Sequence, residues 1–160
     1  MFDEYNSTRY SIVVPLYNER DNIAPLHQSL TGVMKELGYG YELVFVDDGS
    51  TDGSIAVLKE LAQQDAHLTV VALRKNSGKS AALCAGFDSA VGSFLITMDG
   101  DLQHPPELAA RLVAIGQSRQ LDLVAGTRYQ DGGDAAGLAG AKPGRKLLGV
   151  GFANAARPAI

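Results

Sequence analysis

Short β-branched runs alternate along the chain with longer stretches of helical period, the pattern of βα units built around a mostly parallel sheet. The runs predict strands from Ser11 to Val14, Glu42 to Val46, Leu68 to Ala72, Phe94 to Met98 and Asp122 to Ala125. Between the first two, Ile23, Leu26, Leu30, Val33, Met34 and Leu37 recur at helical spacing and give one apolar face, which Gly38 and Gly40 close. A second helix is expected after Thr51 or Asp52, either of which can cap it, with Ile55, Leu58 and Leu61 turned inward. The alanine-rich stretch from Lys79 to Ala90 predicts a third helix whose small side chains suit close packing on a sheet. A fourth is expected from Pro105, a favoured first-turn residue, presenting Leu108, Leu112 and Ile115. The fold class is α/β, a mostly parallel central sheet flanked by helices.

Composition narrows this picture. The 160 residues, 46% of them hydrophobic, suffice for a single domain with one core. A net charge of -4 without a lysine or arginine block argues against a nucleic-acid backbone as the main partner. Cys84 is the only cysteine, which rules out an intrachain disulfide and a cysteine-rich zinc site and fits a reducing, cytoplasmic setting. The segment from Met1 to Arg9 lacks the basic and apolar regions of a secretory signal, and no run reaches the roughly 18 apolar residues of a membrane span. The glycine-rich stretch from Gln130 to Gly144 reads as a mobile loop.

In an open α/β sheet, ligands bind beyond the carboxyl ends of the strands. The unusual polar residues sit there: Pro15 to Glu19 after the first strand, Asp47 to Asp52 after the second, Arg74 to Lys79 after the third, Asp99 to His104 after the fourth, Thr127 and Arg128 after the fifth. Asp99 and Asp101, one residue apart, can share a divalent cation, with Gln103 adding an oxygen; such hard donors suit Mg2+ or Mn2+ completed by diphosphate and water. The competing reading is a solvated turn in which these carboxylates cap the next helix.

Asp48 can accept hydrogen bonds from nucleotide donor groups. A calcium loop starting at Asp48 fails because its last position is Lys59. Gly78-Lys79-Ser80 resembles the end of a phosphate-binding loop, but Leu73 replaces its upstream glycine, so only Lys79 meeting a phosphate survives from that reading. No strand is followed by the glycine fingerprint of dinucleotide binding. His27, His67 and His104 lack metal-ligand spacing.

With these loops in view, the chain resembles family 2 glycosyltransferases of the GT-A fold, a Rossmann-type sandwich, and most closely the polyprenyl- and dolichol-phosphate sugar (mannose or glucose) synthases. The resemblance runs from about Tyr10 to Arg128 and rests on Val13 to Glu19, Val46 to Asp52, Asn76 to Lys79, Asp99 to Pro106 and Gly126 to Tyr129. It implies that Pro15, Tyr17, Asn18, Glu19, Val46 and Asp48 hold the base and ribose. Asp99, Gly100, Asp101 and Gln103 would meet the diphosphate and its metal, and Arg128 and Arg145 the phosphate of a lipid acceptor. Gly149 stands where these synthases often carry serine, and the chain ends at Ile160, before the segment that completes the acceptor side in the relatives.

The expected activity is inverting transfer of a hexose from a GDP- or UDP-linked donor to a polyprenyl phosphate, at the cytoplasmic face of a membrane. Asp101, supported by Asp99 and Gln103, would hold the metal that neutralises the leaving diphosphate. A phosphate acceptor is ionised near neutral pH and needs no strong base, whereas a glycan or protein hydroxyl does. Transfer to such a hydroxyl, a donor-binding module without turnover, and a nucleotidyltransferase are the alternatives.

Overall fold

The computed structural model describes residues 10–103, 105–119, 123–125 and 151–154. In chain order the elements are β1 (Tyr10–Leu16), α1 (Arg20–Leu37), β2 (Tyr41–Asp47), α2 (Ser54–Gln64), β3 (Leu68–Ala72), α3 (Lys79–Ser89), β4 (Phe94–Thr97), α4 (Glu107–Arg119), β5 (Leu123–Ala125) and β6 (Gly151–Asn154). They form one sheet of order β3-β2-β1-β4-β6-β5. β1 pairs in parallel with β2 and β4, and β2 with β3.

β6, which no sequence pattern predicted, runs antiparallel between β4 and β5. The sheet is mostly parallel, with one reversed strand.

Both faces of β1 and β2 are covered, so their apolar runs are continuous instead of alternating. Ile12, Val14, Leu16, Leu43 and Phe45 pack against Ile23, Leu26, Leu30 and Met34 of α1, Leu58 of α2 and Ala109, Leu112 and Val113 of α4. Val13, Val44 and Val46 pack against Ala82 of α3 on the other face. The expected inward residue Ile115 is instead exposed, because Ala109, Leu112 and Val113 form the buried stripe of α4. That helix begins two residues later than its proline signal, after a turn in which the Pro105 and Pro106 carbonyls accept the Leu108 and Ala109 amides.

Small residues let α3 lie close to the sheet. A Cβ on Gly86 would stand 2.3 Å from Val13 Cγ1 and 3.0 Å from Val46 Cγ2. Gly38 ends α1 in the left-handed conformation, its amide donating to the Lys35 carbonyl, as its sequence position implied. At the amino end of the sheet the buried Glu42 carboxylate accepts from the Ser11 hydroxyl at 2.5 Å and the Val91 amide at 2.7 Å, which fixes the turn into β4.

The connections decide where a ligand can enter. α1 and α2 carry the chain from β1 outward to β3 along one face. α3 then crosses the opposite face and delivers β4 to the other side of β1. Strand order therefore reverses between β1 and β4, and a crevice opens beyond their carboxyl ends.

At the opposite end, Asp65 closes α2 and bridges two imidazoles: one oxygen meets His27 Nε2 at 2.8 Å and the other meets His67 Nδ1 at 3.0 Å and the His67 amide at 2.9 Å. Burial pushes the Asp65 carboxyl up, but the hydrogen bonds from the His67 amide, the His67 ring and His27 together outweigh it and hold it below the usual carboxylate value. A depressed carboxylate adds stability above its unfolded pKa, and that contribution is lost as pH falls through the folded value. Asp65→Asn is thus expected to lower the melting temperature near neutral pH, with the gap to wild type closing below about pH 4. Melts across this range check it; a gap that persists in acid would contradict the assignment.

Candidate functional site

The crevice at the β1/β4 switch is a cleft of about 320 Å³ lined by Pro15 and Leu16 at the end of β1, Tyr17 and Glu19 just after it, Asp48 after β2, Asn76 and Gly78 after β3, Lys79 at the start of α3, and Asp99, Gly100 and Asp101 after β4. Eight residues nominated by sequence therefore converge: Pro15, Tyr17, Glu19, Asp48, Lys79, Asp99, Gly100 and Asp101. Tyr17, 44% exposed, offers an aromatic face to a planar ligand.

The remaining nominees lie elsewhere. Val46 is fully buried and packs beneath α3, so it has no surface to offer a ligand. Asn18 does not line the cleft; its Oδ1 accepts the Thr51 amide at 2.8 Å while its own amide donates to Ser50 Oγ at 2.9 Å, joining the first loop to the second. Gln103 is exposed and also off the cleft lining, with its backbone amide donating to Asp101 Oδ1 at 3.1 Å. Arg128, Arg145, Thr127, His104 and the stretch from Gln130 to Gly144 lie outside the described residues.

Asp47 and Asp48 are adjacent carboxylates at the end of β2, and neighbours on a strand face opposite sides. Asp47 is buried away from the cleft lining, its Oδ2 accepting the Ser50 amide at 3.3 Å and its Oδ1 without a partner among the described residues. Asp48 reaches the cleft and accepts the Ser77 amide on one oxygen, at 2.7 Å, and the Gly78 amide on the other, at 2.8 Å. That is a staple across two loops. Gly49, at φ +70°, allows it: a Cβ there would stand 2.5 to 2.7 Å from backbone atoms of Lys75 and Asn76.

Asp52 completes the stitching. It accepts the Ser54 hydroxyl at 2.6 Å and the Ser54 amide at 2.9 Å, although the N-cap position of α2 falls to Gly53 instead of Thr51 or Asp52, and it also takes the Arg20 amide at the start of α1. The hydrogen bond from the Ser54 hydroxyl, more than the Ser54 and Arg20 amides, holds this carboxyl below its usual range against a small desolvation.

Among the described residues two non-glycines adopt positive φ, Asn18 at 55° and Leu102 at 57°, each in a loop at the cleft mouth. Asparagine tolerates this region; leucine pays about 1 kcal/mol or more for it. The turn through Leu102 sets Asp101 beside the cleft.

Four carboxylates thus line the cleft, Glu19, Asp48, Asp99 and Asp101, and the one basic side chain among the lining residues is Lys79. Its Nζ pairs with Asp99 Oδ1. The pair was not foreseen, although both residues were nominated separately. No three His, Cys, Asp or Glu side chains among the described residues converge as a self-sufficient metal cage. Two carboxylates on an open cleft suit an ion that keeps water and substrate oxygens as ligands, the habit of Mg2+, and Asp99 already attracts a cation.

Comparison with known proteins bears on the family and the fold. The profile described as Glycosyl transferase family 2 matches residues 11–148. Undecaprenyl-phosphate 4-deoxy-4-formamido-L-arabinose transferases of Salmonella paratyphi A and Salmonella dublin are each 39% identical over 115 residues, 71% of this chain. The chain spans 35% of the length of these relatives. A mannosyltransferase from Pyrobaculum calidifontis, solved with GDP-Man and Mn2+, is 26% identical with a TM-score of 0.61, covering 77% of this chain and 36% of that one. TarS of S. aureus, solved with UDP-GlcNAc, is 26% identical with a TM-score of 0.58, covering 72% of this chain and 33% of its own. The GT-A-like α/β sandwich is the fold.

The loop stitching is testable by paired glycine substitutions. Gly38 shares the φ of +70° but has open space around its Cβ direction. Gly38→Ala should cost about 1 kcal/mol, a fall of roughly 2–4 °C in Tm. Gly49→Ala should cost at least about 2 kcal/mol more, since Lys75 and Asn76 must retreat. Equal losses would show that the close approach of the two loops contributes nothing.

Proposed function

The chain belongs to glycosyl transferase family 2, and we propose that its cleft binds a nucleoside-diphosphate sugar with a divalent cation and passes the sugar to a polyprenyl phosphate. One observation carries this reading: Tyr17, Asp48, Asp99 and Asp101, from three different strand ends, line a single cleft at the point where strand order reverses. The relatives named for undecaprenyl-phosphate transfer support the acceptor, and the mannosyltransferase solved with GDP-Man and Mn2+ supports the donor class and the ion.

The residues divide the work. Tyr17 supplies a stacking face for the base, and Pro15 and Glu19 border the same end. Asp99 and Asp101 hold the cation, Mg2+ or Mn2+, which when bound supplies Lewis-acid neutralisation of the departing diphosphate. Lys79, the first residue of α3, adds an ammonium where helix N–H groups already favour phosphate. Arg128 and Arg145 are proposed, by the family resemblance, to receive the acceptor phosphate.

In the transfer, a bond forms between an acceptor phosphate oxygen and the anomeric carbon. The bond from that carbon to the diphosphate breaks, and its electron pair leaves with the nucleotide. Attack opposite the leaving group inverts the centre. The acceptor oxygen is already anionic, so the site needs no general base of raised pKa. No helix among the described residues is long and apolar enough to cross a membrane, so in this reading the lipid acceptor is met at a membrane surface.

Asp101→Asn should reduce Mn2+-dependent transfer from radiolabelled GDP- or UDP-sugars to undecaprenyl phosphate by on the order of 10²-fold or more, with unchanged circular dichroism. Full activity in this variant would overturn the assignment. Labelled product on a sugar hydroxyl in place of the lipid phosphate would identify the other acceptor class.

A further inference from the structure

Resting on that reading of the cleft, we infer that Lys79 is a tethered cation that occupies the divalent-ion position while no nucleotide is bound. It gives up Asp99 to the ion and turns to the diphosphate when ion and nucleotide enter together.

Charge balance requires a resident countercharge. Glu19, Asp48, Asp99 and Asp101 line one cleft, and Lys79 is the only lysine or arginine among the described residues that line it. Its ammonium sits on Asp99 Oδ1, one of the two carboxylates proposed to hold the ion. The root of Lys79 is fixed while its tip is solvent-exposed. Asp48 grips the Ser77 and Gly78 amides immediately before it, yet the Lys79 side chain is 54% exposed and that of Asp99 29%. An exposed ion pair of this kind is weak and exchanges readily. The flexible four-carbon stem can then swing without disturbing the helix.

An entering divalent ion therefore competes with the lysine for Asp99. A diphosphate removes the competition by giving the ammonium another anion. Ion and nucleotide must then strengthen each other's binding, by the same factor in both directions.

Electron paramagnetic resonance titration of free Mn2+ tests this on the wild-type chain, Lys79→Met and Lys79→Arg, each alone and with GDP or UDP. Lys79→Met should bind Mn2+ alone up to about five-fold more tightly than wild type. It should bind the nucleotide with Mn2+ about ten-fold or more weakly, and Lys79→Arg should follow wild type. If wild type binds Mn2+ and nucleotide but Lys79→Met shows no gain for Mn2+ alone, the exchange is refuted and the proposed site stands. If wild type binds neither, both fall.

Discussion

Parallel pairing of β1 with β2 on one side and β4 on the other is the constraint from which the cleft follows. Because the strands run the same way, every loop leaving a carboxyl end emerges on one edge of the sheet. Because the crossovers switch faces after β3, the loops beyond β1 and β4 part instead of covering one another. Acidic side chains are gathered there, and Lys79 is the one basic residue that faces them among the described residues lining the cleft. The proposed ligand chemistry thus rests on topology and charge together.

Holding that edge in shape consumes much of the local polar inventory. Asn18 ties the first loop to the second, Asp48 ties the second to the third, and Asp52 links the starts of α1 and α2. Each bond ends on a backbone amide that an open loop would otherwise leave to water. A cleft stitched in this way meets its ligand with little ordering left to do, which is where a binding site gains affinity and a transferase gains precision of approach.

Much of this was legible in the sequence because parallel strands buried on both faces write themselves as unbroken apolar runs. β1 to β4 and the four helices were placed to within a few residues, and the polar clusters after them marked the cleft. β6 escaped because Gly151–Asn154 is short and glycine-led, and its existence depends on insertion between two strands far away in sequence. Val46 shares a strand face with Asp48 but sits one step deeper, where α3 covers it, a depth that the motif does not disclose. The Asp48 staple and the Lys79–Asp99 pair were invisible for a different reason: each joins loops brought together only by strand order, β3 beside β2 in the first case and the α3 crossover to β4 in the second.

The most direct test is a crystal of the chain grown with Mn2+ and a nucleoside diphosphate, recorded at a wavelength where manganese scatters anomalously. A single anomalous peak is expected between the Asp99 and Asp101 carboxylates and both phosphates, with the base against Tyr17. A peak elsewhere, or diphosphate bound in the cleft with no ion against either carboxylate, would contradict it.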